Sequence, residues 1–448
     1  MFDNIIKYFK LNKVSLFLTL ASSIFYYVIA YHFQRTEFLK LLILFFGLFF
    51  FCFKIVQFKK FNFKFLLFCG VFFRLIFLFT LPNLSQDFYR FIWDGELVSN
   101  FINPYLYIPN ELIKQANLVI DNSQELFNGM GELSPKFHSN YPPLNQLIFA
   151  IAALLGGKSI LGSVIVMRIG IILADVGIVY FGRKLLKNLN LSPHLIFWYF
   201  LNPLVILELT GNLHFEGVML FFFVWSLYLV SKNKWQLAGV IYALSISIKL
   251  VPLLFLPLFF KYFGFKKSVF FYSIVGATTI LLLLPFYTSE FISNYSETVG
   301  LWFSNFEFNA SVYNVVKKIA VSYFDAKPWE LIITYGKITP YLIIGMVVLF
   351  SLFRKNQKLS VLITSMLWVL SIYYLLSATV HPWYIIFLVL LSVFTRFRYA
   401  LIWSGLVILS YFAYSNPNYI EHLGILSFEY IVILGYMIYE IATVYNKK

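Results

Sequence analysis

Charge is scarce in this chain: Asp, Glu, Lys and Arg make up 12% of the sequence, against 60% hydrophobic residues. One globular core cannot bury that much apolar side chain from 448 residues, so a water-soluble domain is excluded. Cysteine is nearly absent. Cys52 and Cys69 lie in apolar runs without metal or redox spacing, and neither a zinc module nor a disulfide framework is indicated. Glycine forms no phosphate-cradling loop, serine sits in no nucleophile elbow, and no internal repeat of the kind found in inverted-topology transporters stands out. The strict alternation of an outer-membrane barrel is missing too. Lipid offers backbone amides no hydrogen-bond partner, so the long apolar runs are predicted to be helices and the fold to be all-α.

What is present is aromatic and apolar: 54 Phe, 31 Tyr and a mean hydropathy of +0.79. Runs of spanning length occur near Val14 to Ala30, Phe38 to Val56, Phe63 to Leu81, Ile160 to Phe181, His194 to Leu209 and Phe215 to Val230. Others occur near Ser268 to Phe286, Leu331 to Phe353, Ser360 to Leu376, Trp383 to Phe394, Ala400 to Tyr414 and Leu426 to Tyr445. The expectation is a single integral membrane domain over 1–448 with about 12 crossings. The first run follows Lys7, Lys10 and Lys13 without a small-residue cleavage site and reads as a retained span.

The formal charge of +15 sits mostly in short clusters between apolar runs, which reads as membrane topology, with no nucleic-acid partner. Two apolar stretches, Leu144 to Gly157 and Leu237 to Phe260, are predicted not to cross fully. The first is short, and the second is interrupted by Lys249 and Pro252 and flanked by lysines at both ends, like a broken hairpin. With both held back, Lys59/Lys60, Arg183/Lys184/Lys187, Arg354/Lys355/Lys358, Arg396/Arg398 and Lys447/Lys448 fall on one side. The positive-inside rule makes that side cytoplasmic, with both termini, and gives the long stretches 83–142 and 287–330 to the other. The first of these loops carries seven of the chain's 20 acidic residues.

Chemistry is expected where polar residues leave the apolar background, from Ser85 to Tyr107. A helix beginning near Asp87 brings Asp87, Arg90 and Asp94 onto one face beside an apolar face of Phe88, Phe91 and Ile92, an amphipathic helix suited to the membrane surface. The pattern fits two readings: a reactive carboxylate at a helix start, or a capping Asp87 followed by an ordinary Arg90–Asp94 pair.

Ser85 to Tyr107 resembles the signature region of bacterial GT-C glycosyltransferases that use polyprenyl-phosphate sugars, in particular polyprenol-phosphate-mannose-dependent mannosyltransferases. The matching pieces are Asp87, Tyr89-Arg90, Trp93-Asp94-Gly95 and Asn103-Pro104-Tyr105. In compatible order follow Tyr141-Pro142-Pro143, Asn202-Pro203 with Glu208, Gly211-Asn212 with His214 and Glu216, Lys249-Leu250-Val251-Pro252 and His381-Pro382-Trp383-Tyr384. The resemblance covers roughly Phe63 to Tyr384.

The resemblance implies an inner-membrane enzyme of a bacterium that transfers a hexose, with inversion, from a polyprenyl-phosphate donor to a lipid- or glycan-linked acceptor outside the cytoplasm. Asp87 would be the general base. Gln86 stands where related sequences often carry a second acid, so no metal-binding carboxylate pair and no cofactor are expected. The leaving phosphate calls for positive charge. Arg90, Lys249 and His381 are the candidates for it, with Asp94, His214 and Glu216 for other donor or sugar contacts. Trp93, Tyr105 and Tyr141 are candidates to stack against sugar. Each has a plainer reading: Arg90 neutralising Asp94, Lys249 reaching for the interface, His381 opening a helix before Pro382, His214 and Glu216 solvated. A many-span transporter or lipid flippase is the alternative from another class, and a catalytically silent scaffold a third. The sequon at Asn309 is a three-residue match and carries no weight.

Overall fold

The computed structural model describes residues 2–304, 306–416 and 418–445. Lys447 and Lys448, the last expected basic pair, lie outside the described residues. Among the described residues the chain is helical, and its β structure is one isolated bridge between Phe308 and Thr379.

The chain opens with three apolar helices, α1 (Phe2–Tyr31), α2 (Phe38–Phe58) and α3 (Phe63–Leu75). Their Phe, Leu and Ile runs leave the backbone amides only one another to pair with at membrane depth. Asn62 caps α3 by accepting from the Phe65 N–H at 3.1 Å, which fixes where that helix starts. The long polar stretch that follows holds α4 (Asp87–Ser99) and ends at α5 (Pro143–Leu155). Then come α6 (Ile160–Asn188) and, after a bent segment, α7 (Glu216–Ser231).

By length and apolarity, seven helices among the described residues qualify to cross a membrane, or eight if Pro193–Phe200 and Pro203–Gly211, bent by 54°, form one span. The sequence predicts about 12. The four expected crossings outside that set, 63–81, 215–230, 383–394 and 400–414, are helical but short: α3 ends at Leu75, and the others form Glu216–Ser231, Pro382–Val393 and Tyr399–Ser415. At about 1.5 Å per residue, the 16 residues of α7 rise roughly 24 Å, short of a hydrocarbon core of about 30 Å.

Contacts sort the chain into two ends. At one, Arg183 stacks 3.6 Å from the Phe63 ring centre, Asn188 donates to Ser231 at 2.7 Å, Lys261 donates to the Leu352 carbonyl, and Glu440 accepts from the Arg398 N–H at 2.8 Å. The other end gathers the polar stretches: Asn103 donates to the Phe286 carbonyl at 2.9 Å and Asn294 to the Tyr105 carbonyl at 3.0 Å. Both ends of α5 are tied here. It starts beside Tyr141 and finishes beside Lys158, whose ammonium lies 3.4 Å from Asp121 and whose carbonyl accepts from Asn122 at 2.9 Å. The stretch 237–260 leaves the basic end in the helix Trp235–Ile246 and breaks near Lys249, which pairs with Glu216 at the far end. It then returns through Val251–Phe259 toward Lys261.

Buried charge holds the frame between those ends. Arg74 and Asp175 form a fully buried ion pair at 2.8 Å, and Asp175 also accepts from Tyr199 at 3.0 Å. Arg168 donates to the carbonyls of Phe77 and Thr80 at 2.6 Å and of Thr210 at 2.7 Å, satisfying backbone groups that α3 and the bent segment release where they end. Arg168 and Asp175 thus both serve structure, on different partners.

Candidate functional site

The sequence from Gly211 to Glu216 turns sharply between two buried helices. Ile206–Gly211 is a π-helical turn, and Leu213 takes a left-handed φ of 61°. A bulky residue in that region is a strained conformation of the kind found at functional sites. The turn puts His214 and Glu216, both buried, under the start of α4.

There Glu216 forms an ion pair with Lys249 from the break in the 237–260 hairpin. Asp87, half-buried at the first turn of α4, shares their field. Burial raises its carboxyl above the ordinary carboxylate range; Lys249 pulls it down and Glu216 pushes it up. Four expected site residues from three distant segments, Asp87, His214, Glu216 and Lys249, therefore meet. His381 joins them through a stack of rings.

Trp383 is sandwiched between two imidazoles, His214 at 3.7 Å and His381 at 4.4 Å between ring centres. Burial lowers both histidines, with Lys249 adding to it, and His381 is pushed down to about 3. Both imidazoles are neutral at physiological pH and act as hydrogen-bonding groups, leaving Lys249 as the cation of this cluster. Two polar atoms here are buried with no partner, His381 Nδ1 and Glu216 Oε2, while His214 Nε2 is turned toward Glu208. Buried polar atoms are normally satisfied, so the two orphans beside Asp87 mark a ligand-facing surface.

The remaining expected residues sit behind this surface. Arg90 donates to Asp94 at 2.7 Å and to the carbonyls of Ser134 and Phe137. Asp94 also accepts from Ser139 at 2.5 Å and Gln146 at 3.3 Å. Trp93 is fully buried against Phe127, and a Cβ on Gly95 would lie 2.3 Å from the Phe149 carbonyl oxygen. Asp94 and Gly95 thus clamp α4 onto α5, while Trp93 packs α4 against the short helix Ser123–Gly129. Tyr105 is fully buried and donates to the Tyr141 carbonyl at 2.5 Å. Tyr141 packs edge-on against Phe91 and feels the charge of Asp87, the nearest approach to the cluster among the three aromatic candidates. Gln86 points away, donating to the Met130 carbonyl at 3.2 Å. Asn309 of the sequon is fully buried and donates to Glu429 at 3.3 Å, which removes it from any modifying enzyme.

Glu208, marked in the sequence only as part of a matching motif, holds the turn, accepting from Tyr411 at 2.8 Å and Asn212 at 3.1 Å and standing 3.5 Å from His214 Nε2. Other members of the site escaped the sequence reading. Phe308 reaches in from the second polar stretch and stacks on His381 at 5.0 Å, fixed by exchange with the backbone of Ala378 and Val380. Tyr414 stacks on Phe308 at 5.7 Å, and Arg35 covers Tyr414. A signal for Arg35 existed: it is a basic residue in a connection that the positive-inside rule assigns to the non-cytoplasmic face.

Comparisons with known proteins agree on one family. The family model described as "Alpha-(1->6)-mannopyranosyltransferase, N-terminal domain" matches residues 23–263. Alpha-(1->6)-mannopyranosyltransferase A of Corynebacterium glutamicum is 20% identical over 343 residues, 68% of this chain and 66% of that protein. Alpha-(1->6)-mannopyranosyltransferase B of the same organism is 28% identical over 144 residues, 32% of this chain and 23% of that protein. The matched stretches thus span less than two thirds of either relative's own length.

Proposed function

The chain belongs to the alpha-(1->6)-mannopyranosyltransferase family, and from that premise we propose that it is a membrane mannosyltransferase using a polyprenyl-phosphate-linked mannose. The observation that carries the proposal is Asp87 in the field of the Glu216–Lys249 pair, with His381 Nδ1 and Glu216 Oε2 buried and unpartnered in the same cluster. Asp87 takes the proton of the acceptor hydroxyl as its oxygen attacks the anomeric carbon from the face opposite the phosphate. The bond from that carbon to the phosphate oxygen breaks, and its electron pair leaves with the phosphate. Lys249 offsets the growing negative charge, and His214 and His381 hydrogen-bond the sugar hydroxyls. Arg90 and Asp94 hold α4 in position.

The acceptor is lipid- or glycan-linked, and the reaction takes place on the extracytoplasmic face of a bacterial inner membrane. Segregation of the basic clusters to the end opposite Asp87 supports that orientation. The short helices at 63–75, 216–231, 382–393 and 399–415 join the same two ends as the long ones, which supports about 12 traverses, the bilayer thinning around the shorter ones.

Purified Asp87→Asn protein in nanodiscs tests the base. Folding stays intact and mannosyl transfer from polyprenyl-phosphate mannose drops by about 100- to 10,000-fold. Wild-type turnover in that variant removes Asp87 from the role. Movement of lipid-linked sugar by wild-type protein without bond cleavage points to a transporter instead.

A further inference from the structure

The connection between α1 and α2 carries its own ion pair. Lys40 lies 3.1 Å from Glu37, and Glu37 also accepts from the Gln34 N–H at 2.8 Å. The acid of this turn is therefore engaged, and Arg35 beside it pairs with no carboxylate among the described residues. Its guanidinium carbon lies over Tyr414, 3.7 Å from the ring centre, with Tyr419 at 5.7 Å. Its Nε is buried without a hydrogen-bond partner.

Tyr414 is the far end of the continuous stack that runs through Phe308, His381 and Trp383 to His214. Arg35 is thus held by the same stack that carries the two imidazoles, and Asp87 feels its charge as well as that of Lys249. A guanidinium over a ring, with no carboxylate ion pair among the described residues and its buried Nε left over, is poised for an oxyanion; its planar fork matches phosphate oxygens better than an ammonium does.

We infer that Arg35 is a phosphate-contacting residue of this enzyme, gripping the phosphate group of the lipid donor and of the lipid monophosphate that leaves, jointly with Lys249. The inference rests on the polyprenyl-phosphate reading given above. The chemistry asks for a second cation. The donor phosphodiester carries one negative charge, and the departing monoester approaches two once the anomeric carbon–oxygen bond has broken. Lys249 is already shared with Glu216. Arg35 supplies charge that is in no ion pair with a carboxylate among the described residues, and Tyr414 holds it in place.

The test is binding of a short-chain polyprenyl monophosphate to full-length protein in nanodiscs, beside the matching neutral polyprenol and inorganic phosphate alone. The monophosphate is expected to bind wild-type protein more tightly than either. Arg35→Gln weakens monophosphate binding at least tenfold and leaves polyprenol binding unchanged, while Arg35→Lys recovers part of the loss. Gel filtration and thermal unfolding of each variant establish that it is folded, and Tyr414→Leu, which removes the platform, weakens the monophosphate in the same direction. Equal weakening for monophosphate and polyprenol, or wild-type monophosphate affinity in Arg35→Gln, overturns the assignment to Arg35 alone. Wild-type protein that prefers neither lipid, or binds inorganic phosphate as tightly as the monophosphate, overturns the lipid-phosphate reading beneath it.

Discussion

Asp87 sits where two opposite charges compete over its proton. Burial raises its carboxyl, the Lys249 ammonium lowers it and the Glu216 carboxylate raises it. A general base works only when deprotonated, so kcat/KM falls as pH drops through the pKa of Asp87, and that acidic limb lies above the ordinary carboxylate range. Glu216→Gln removes the raising charge and moves the limb to lower pH; Lys249→Met removes the lowering charge and moves it higher. Superimposable pH profiles for the two variants and the wild type would show that another group titrates. Lys249 stood out as a costly charge in an apolar stretch, whereas Asp87, His214, Glu216 and His381 were picked out by the resemblance of their motifs. Their meeting was not legible, since nothing local relates a residue on α4 to a hairpin break 162 positions later. Phe308 and Tyr414 were missed because each looks ordinary in its own segment and gains its meaning from stacking on the next, whereas Arg35 was marked only by lying on the face that the positive-inside rule leaves poor in basic residues.

At the scale of elements, the sequence pattern marks α4 as an amphipathic helix with Asp87, Arg90 and Asp94 on one face, and the helix spans Asp87–Ser99. Spacing alone could not say which carboxylate of that face is chemical. Asp87 at the first turn meets the cluster, while Asp94, about two turns later, is taken up by Ser139 and by Gln146 of α5. Removing one member of a buried, hydrogen-bonded ion pair strands the other, at roughly 3–5 kcal/mol. Asp94→Asn is accordingly expected to lower the thermal midpoint in detergent while the folded fraction keeps its KM for the lipid donor. A raised donor KM at unchanged stability would instead put Asp94 in contact with substrate. Gly95→Ala forces a methyl against the Phe149 carbonyl and costs about 1–3 kcal/mol, for a steric reason unrelated to charge.

For the molecule as a whole, hydropathy gave the helical class readily, because only helices satisfy a backbone in lipid. It gave crossings less readily: apolar length cannot separate a short traverse from a helix that lies at one face, and charge has to arbitrate. The two doubtful stretches illustrate this. Pro143–Leu155 is anchored at both ends to the stretch 83–142 through Tyr141 and Lys158, whereas 237–260 begins and finishes at the basic end with Lys249 at its tip. Labelling single cysteines tests both assignments with the orientation. Cys52 and Cys69 are buried and unpaired, so each is replaced first by a small residue. In that background Glu132→Cys, Lys158→Cys and Asn233→Cys each put a thiol at an exposed position. A membrane-impermeant maleimide is expected to label the first two in intact spheroplasts and the third only in inverted vesicles. Labelling at 158 from the face opposite 132 would mean that Pro143–Leu155 crosses, which would move every basic cluster after it to the other side. Labelling at 233 together with 132 would put the Lys232 and Lys234 turn on the same face as Asp87, undoing the charge argument that orients the site.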